Sequence, residues 1–235
     1  VYRNGSITDS PQDIEHYIGV FAGNNLKLQI DACRDLEFAG LSDPRIFDSI
    51  ESKLLQTYQT AKDGDSVAYA TWLARALAYS GQEKYRATLQ AVAEHGGHSK
   101  LKKQAAAAVK SLDDYKSWTP IIGDTSAYNY EKSGEINRLA NMLRGSVPGL
   151  QTMAARQMIS KDVYDPYLLY VAQQAVQAAV HTVKDEAAED ALVWTLKALA
   201  SSHQAMYRAT VQDAASNAAS ARVRKYAAGF LKKID

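Results

Sequence analysis

The side chains with chemistry to offer are five histidines (His16, His95, His98, His181 and His203), one cysteine (Cys33), and clusters of lysine and arginine. Glu94-His95-Gly96-Gly97-His98 places three metal-ligating side chains within five residues, a donor set of the kind that holds zinc or iron. Its two glycines make it a turn, however, and ligand spacing on a turn preorganises nothing. Cys33 falls on an apolar helical stripe with Ala32 and Leu36, the setting of a small buried residue and not of a nucleophile. A lone cysteine also excludes an internal disulfide framework and any multi-cysteine zinc cluster. There is no glycine-rich phosphate loop, G-x-S-x-G elbow or H-E-x-x-H pair. No catalytic residue, metal ligand or cofactor is therefore assigned, and the chain is expected not to be an enzyme.

The basic residues concentrate in two places. Lys100, Lys102, Lys103 and Lys110 lie in one segment; Arg222, Arg224, Lys225, Lys232 and Lys233 lie in another. Stripes of this kind can meet phosphates. With a formal net charge of +1 the chain has no global field to draw a polyanion. Nucleic acid is a secondary expectation on this ground.

These residues must be positioned by helices. The chain of 235 residues contains 38 alanines, 13 glycines and 5 prolines. Alanine-rich, glycine-poor sequence with Leu, Gln, Lys and Glu favours helix, because alanine loses no side-chain freedom there. The expected class is all-α. The most apolar window, residues 164–183, still holds Asp165 and three glutamines, so no membrane span is expected.

Sliding the chain by 122 positions aligns 1–113 with 123–235 without a gap. Leu28-Gln29 falls on Leu150-Gln151, Arg34 on Arg156, Asp43-Pro44 on Asp165-Pro166, and Trp72 on Trp194. Tyr85-Arg86-Ala87-Thr88 falls on Tyr207-Arg208-Ala209-Thr210. A register this long implies duplication. The expected organisation is a unit at 1–113, a connection at 114–122 and a second unit at 123–235, one continuous solenoid. The metal-like turn at 94–98 finds Ser216-Asn217-Ala218-Ala219-Ser220 at its counterpart, so no ligand is repeated.

Each unit divides into three pieces of two helices. In the first, helices are expected at 12–22 and 27–39, 44–62 and 66–79, and 83–95 and 99–112. Asp43-Pro44 and Asp165-Pro166 supply an N-cap followed by proline at the first helical position. Gly40, Gly64, Gly81 and Gly96-Gly97 are expected as stops. The segment 113–133, with Tyr115, Trp118, Tyr128 and Tyr130, reads as the least helical part, its aromatics packing on the joint. The spacing of Tyr85, Thr88, Leu89 and Val92 puts Tyr85 on a packing face, and Tyr207 likewise. Arg86 and Arg208 sit on the flank, where they can pair with an adjacent repeat. Trp72, Tyr85, Arg86, Trp194, Tyr207 and Arg208 are thus read as structural marks of the repeat.

Ala221-Arg222-Val223-Arg224-Lys225-Tyr226-Ala227-Ala228-Gly229-Phe230-Leu231-Lys232-Lys233-Ile234 resembles the second helix of a HEAT repeat, and Lys100–Val109 repeats the pattern. The resemblance, to a family allied with armadillo repeats, implies about six helical hairpins in a right-handed α-solenoid whose second helices line a concave face. HEAT-like iron hydroxylases carry His-Glu dipeptides in successive repeats; this chain has only the reverse order, at Glu15-His16 and Glu94-His95. The leading functional expectation is a non-enzymatic scaffold that binds a protein or peptide on that face through Arg34, Arg75, Lys102, Lys103, Arg156, Lys197, Arg224 and Lys225. The alternatives are a nucleic-acid-binding or glycosylase-like HEAT protein using the basic terminal helices, and a structural module of a larger assembly. The start at Val1 is read as removal of a signal or pro-segment, which gives a periplasmic or secreted protein, or as a piece of a longer chain, otherwise a cytoplasmic one. Asn4-Gly5-Ser6 fits a glycosylation sequon.

Overall fold

The computed structural model describes residues 11–234, and the Asn4 sequon lies outside them. Among the described residues there are twelve α-helices and no strand. The expected all-α class, as helices in tandem, is what the structure has. The chain divides into two compact units, residues 1–138 and 139–235.

In the first unit the helices are α1 (Pro11–Ala22), α2 (Leu26–Asp35), α3 (Pro44–Thr57), α4 (Gly64–Tyr79), α5 (Arg86–His95) and α6 (Ser99–Ile122). Short 3₁₀ turns at Leu36–Phe38 and Glu83–Tyr85 precede their neighbours. Helix α4 is the hub: it packs on α2, α3 and α6, while α5 packs on α6 and α1 on α3. First helices thus lie beside first helices and second beside second, the stacking through which hairpins share one core. Ile46, Phe47, Ile50, Leu73, Leu77, Leu89, Leu101 and Leu112 fill it.

Helix α7 (Gly134–Arg144) crosses the boundary between the units. The second unit continues with α8 (Pro148–Ser160), α9 (Pro166–Ala179), α10 (Glu186–Ser201), α11 (Arg208–Asn217) and α12 (Ala221–Leu231), with a 3₁₀ turn at Ala205–Tyr207. Here α10 is the hub, against α8, α9 and α12. From α3 to α5 and from α9 to α11, element boundaries repeat at an interval of 122 residues.

The caps repeat too. Asp43 accepts from the Arg45 amide and Asp165 from those of Tyr167 and Leu168; Asp63 and Asp185 accept from Ser66 and Ala188. Each satisfies amides that the first helical turn leaves open. Between hairpins, the Gly97 amide donates to the Tyr58 carbonyl at 2.8 Å, and the Ala219 amide donates to that of Val180 at 2.9 Å.

Four expectations need correction. Helix α3 ends at Thr57 and not at 62, because residues 58–61 form the turn that receives Gly97: a Cβ there would stand 2.5 Å from the Gln59 carbonyl oxygen. Helix α2 stops at Asp35, the next three residues tightening into a 3₁₀ turn. Gly64 opens α4 and is not a stop. Residues 113–122, read as the least helical part, are the last turns of α6, through Pro120. Burial explains the extension: Tyr115 packs on Tyr79 with ring centroids 5.1 Å apart, Ile122 is buried, and the Thr119 hydroxyl donates to the Tyr79 carbonyl at 2.7 Å. Farther on, Tyr128 is buried and Tyr130 is 63% exposed.

Candidate binding sites: a tryptophan between two cations in each unit

The residue types for ligand contact come together on the second helices. Trp72 lies on α4, and Arg75, one turn further on, brings its guanidinium carbon 4.3 Å from the indole centroid. Arg34 reaches the same ring from the neighbouring α2, at 4.9 Å. The same set is built in the second unit. Arg156 on α8 stands 5.0 Å from the Trp194 ring, and the ammonium of Lys197, on α10 with Trp194, stands 4.9 Å from it. Side chains three apart on a helix share a face, and the contact of α2 with α4, and of α8 with α10, brings in the third member. Both indoles are half-buried. An exposed cation over an indole face contributes about 0.5–1 kcal/mol.

The two sites differ electrostatically. In the first unit Asp31 lies 3.8 Å from Arg34, and Glu37 faces Arg75. Burial raises the Glu37 carboxyl, opposed by Arg75 and by a hydrogen bond from Tyr115 at 3.4 Å. The Tyr79 hydroxyl beside it is pushed up to about 12, by burial first and then by Glu37. At the counterparts of Asp31, Asp35 and Glu37 the second unit has Met153, Gln157 and Ile159. Among the described residues, no carboxylate pairs with Arg156 or Lys197.

The other sequence candidates fall elsewhere. Lys102 and Lys103 are exposed on the first turn of α6 and are not part of the Trp72 cluster. Arg224 donates to the carbonyls of Ala218 and Ala219, at 2.6 and 3.3 Å, and so closes the end of α11. Its neighbour Lys225 is exposed, while Arg222 pairs with Asp190 at 2.6 Å. Tyr85 and Tyr207 are buried, as expected of packing residues, though each closes a 3₁₀ turn. Arg86 pairs with Glu83 and with Asp113 of α6, within its own hairpin and not with an adjacent repeat. Arg208 opens α11 at the corresponding place, exposed.

The histidines are dispersed. His98 accepts from the Lys100 amide as the N-cap of α6, His181 meets Asp213 at 2.8 Å, and His203 meets the Lys233 carbonyl at 2.9 Å. Among the described residues no group of three or more His, Cys, Asp or Glu side chains could hold a metal ion. Cys33 is fully buried, which pushes its thiol pKa up. No helix among the described residues is long and apolar enough to cross a membrane.

Sequence reasoning placed Arg34, Arg75, Arg156 and Lys197 on a binding face but read the tryptophans as packing marks. The missed signal was the repeated Trp-x-x-cation spacing in Trp72–Arg75 and Trp194–Lys197.

No family model matches the chain. No curated protein matches it. Among solved structures, human deoxyhypusine hydroxylase in complex with glycerol is similar at 15% identity and a TM-score of 0.36, over 96% of this chain and 85% of that one. The expectation that the chain is not an enzyme is corrected by this finding, since the similar structure is that of an enzyme. A likeness of this size assigns no activity to the chain.

Proposed function

We propose that the chain is a HEAT-like array made by duplicating a 122-residue unit (1–113 and 123–235, with 114–122 connecting them), and that its second-helix faces bind a protein or peptide. The observation that carries this reading is the tryptophan held between two cations at the same register of both units. An indole with flanking cations suits a segment that presents a carboxylate beside an apolar or aromatic side chain. Aromatic residues and arginine are also the types that anchor interfaces. Nucleic acid fits less well: Arg222 and Arg224 of the basic terminal helix are already engaged, and net charge is near zero.

A peptide array probed with the intact chain tests this. Wild-type protein should select peptides with Asp or Glu next to aromatic residues, and Trp72→Ala combined with Trp194→Ala should abolish the selection while circular dichroism stays unchanged. Peptide binding that survives the double substitution, or salt-dependent retardation of DNA with no peptide bound, would overturn the proposal.

A further inference from the structure

The two tryptophan clusters share one plan, yet their cations keep different company. In the first unit each cation already faces a carboxylate. Asp31, one turn back on α2, lies 3.8 Å from Arg34, and Glu37 faces Arg75. In the second unit Met153 stands one turn back from Arg156, and Ile159 holds the place of Glu37. Helix α8 carries no Asp or Glu along its length. The carboxylates of α10 are Glu186, Glu189 and Asp190, all at its start. Glu189 accepts from the Ser220 hydroxyl, and Asp190 pairs with Arg222 at 2.6 Å. Glu186 lies about 16 Å before Lys197 along the helix axis. Helix α12, packed on α10, brings Arg224 and Lys225 and no acid of its own.

This difference sorts ligands. A peptide carboxylate that approaches Arg34 or Arg75 competes with a carboxylate already there and is repelled by it, so the exchange gains little. One that approaches Arg156 or Lys197 displaces only water. Arg156 is exposed and Lys197 half-buried, so both can be reached from solvent.

We propose, on the reading that second-helix faces bind a peptide, that the second unit's cluster alone reads acid: Asp or Glu side chains of the peptide pair with Arg156 and Lys197 beside Trp194, while the Trp72 cluster accepts apolar side chains without charge selection. Met153 and Ile159 then set specificity by what they omit, since a carboxylate at either place would silence the cations as Asp31 and Glu37 do. Exposed ion pairs are individually weak, so the selection is modest, roughly fivefold for the two together.

Fluorescence anisotropy of the intact chain with fluorescein-labelled Gly-Glu-Phe-Glu-Gly and Gly-Gln-Phe-Gln-Gly tests this. The glutamate peptide should bind roughly fivefold more tightly, and the difference should vanish at about 1 M salt, where charges are screened within about 3 Å. Arg156→Gln combined with Lys197→Gln should remove the difference. Met153→Asp, which places a carboxylate one turn from Arg156, should reduce it and serves as the second variant where the double one fails to fold. Asp31→Asn, at a half-exposed position, should enlarge it by freeing Arg34. A glutamate preference that survives both second-unit variants would overturn the proposal, and so would equal binding of the two peptides by the wild type, which leaves a peptide-binding face standing. Binding of neither peptide would remove that face and the proposal together.

Discussion

Gly40 and Gly123 meet backbone to backbone. A Cβ on Gly40 would stand 2.4 Å from the Gly123 nitrogen, and one on Gly123 would stand 2.4 Å from the Gly40 carbonyl oxygen. The contact brings the end of α6 onto the turn after α2. Gly40 has φ +65, while Gly123, at φ −89, has a backbone any residue adopts. Gly123→Ala is therefore a purely steric probe, expected to cost about 1–3 kcal/mol, as overpacking does. Gly40→Ala adds a left-handed penalty of roughly 1–2 kcal/mol. Gly64→Ala, with open space around it, is the control, expected within about 0.5 kcal/mol of wild type. Urea unfolding of the three variants checks the order.

The repeated tyrosines are predicted to differ in energy although they match in sequence. Tyr85 donates to the Asp48 carboxylate at 2.7 Å. The counterpart of Asp48 is Tyr170, and the Tyr207 hydroxyl has no partner among the described residues. Tyr85→Phe should cost about 1 kcal/mol, at the low end for a bond to a charged group because Asp48 is half exposed. Tyr207→Phe should be nearly neutral by the same denaturation measurement.

Acid should loosen the end of α6 through Glu83. Hydrogen bonds from Arg86, first, and then Lys116 hold its carboxyl down at about 2. A carboxyl whose folded pKa is depressed contributes stability that is present above its unfolded value, near 4.3. That stability is lost as pH falls toward the folded value. Thermal unfolding followed from pH 6 to pH 2 should show Tm falling below about pH 4.3, with a shallower fall in Glu83→Gln. Equal slopes for the two proteins would contradict this.

Cys33 is predicted to be inert while the chain is folded. Its thiol is fully buried and its pKa is pushed up by desolvation, whereas thiol reagents attack the exposed thiolate. An aromatic disulfide reagent should label it only at the rate of unfolding and stoichiometrically in denaturant.

Helix punctuation was the most legible part of the sequence. Asp43-Pro44 and Asp165-Pro166 each start a helix with a side-chain cap, because capping is decided within a few residues. The run of α6 through Pro120 was not legible. Local rules end a helix there, and what sustains it is the burial of Tyr115 and Ile122 against α4 and the turns at Gly40 and Gly81. The candidate site was half legible. Trp72 and Arg75 share a helix face by spacing alone, but Arg34 joins them only through the packing of α2 on α4.

Gln29 and Gln151 give the last prediction, because they share one task under unequal conditions. Each amide group donates to two backbone carbonyls at the end of the preceding helix. Removing Gln29 takes one donor from each carbonyl, leaving Val20 the Gly23 amide at 3.3 Å and Gly23 the Lys53 ammonium at 3.5 Å, and it strands the Tyr69 hydroxyl in a buried place where little water can replace the partner. Buried groups left without partners cost roughly 1–3 kcal/mol each, with the resulting hole adding to it. Removing Gln151 strands two carbonyls beside a cavity that already admits water, and no tyrosine. Gln29→Ala should therefore destabilise by about 3 kcal/mol or more, and Gln151→Ala by about 1–2 kcal/mol. Tyr69→Phe separates the contributions: with the hydroxyl gone, part of the Gln29→Ala penalty should vanish in the double variant, a coupling of about 1 kcal/mol in a double-mutant cycle. Additive effects would show that Tyr69 and Gln29 are neighbours without being partners.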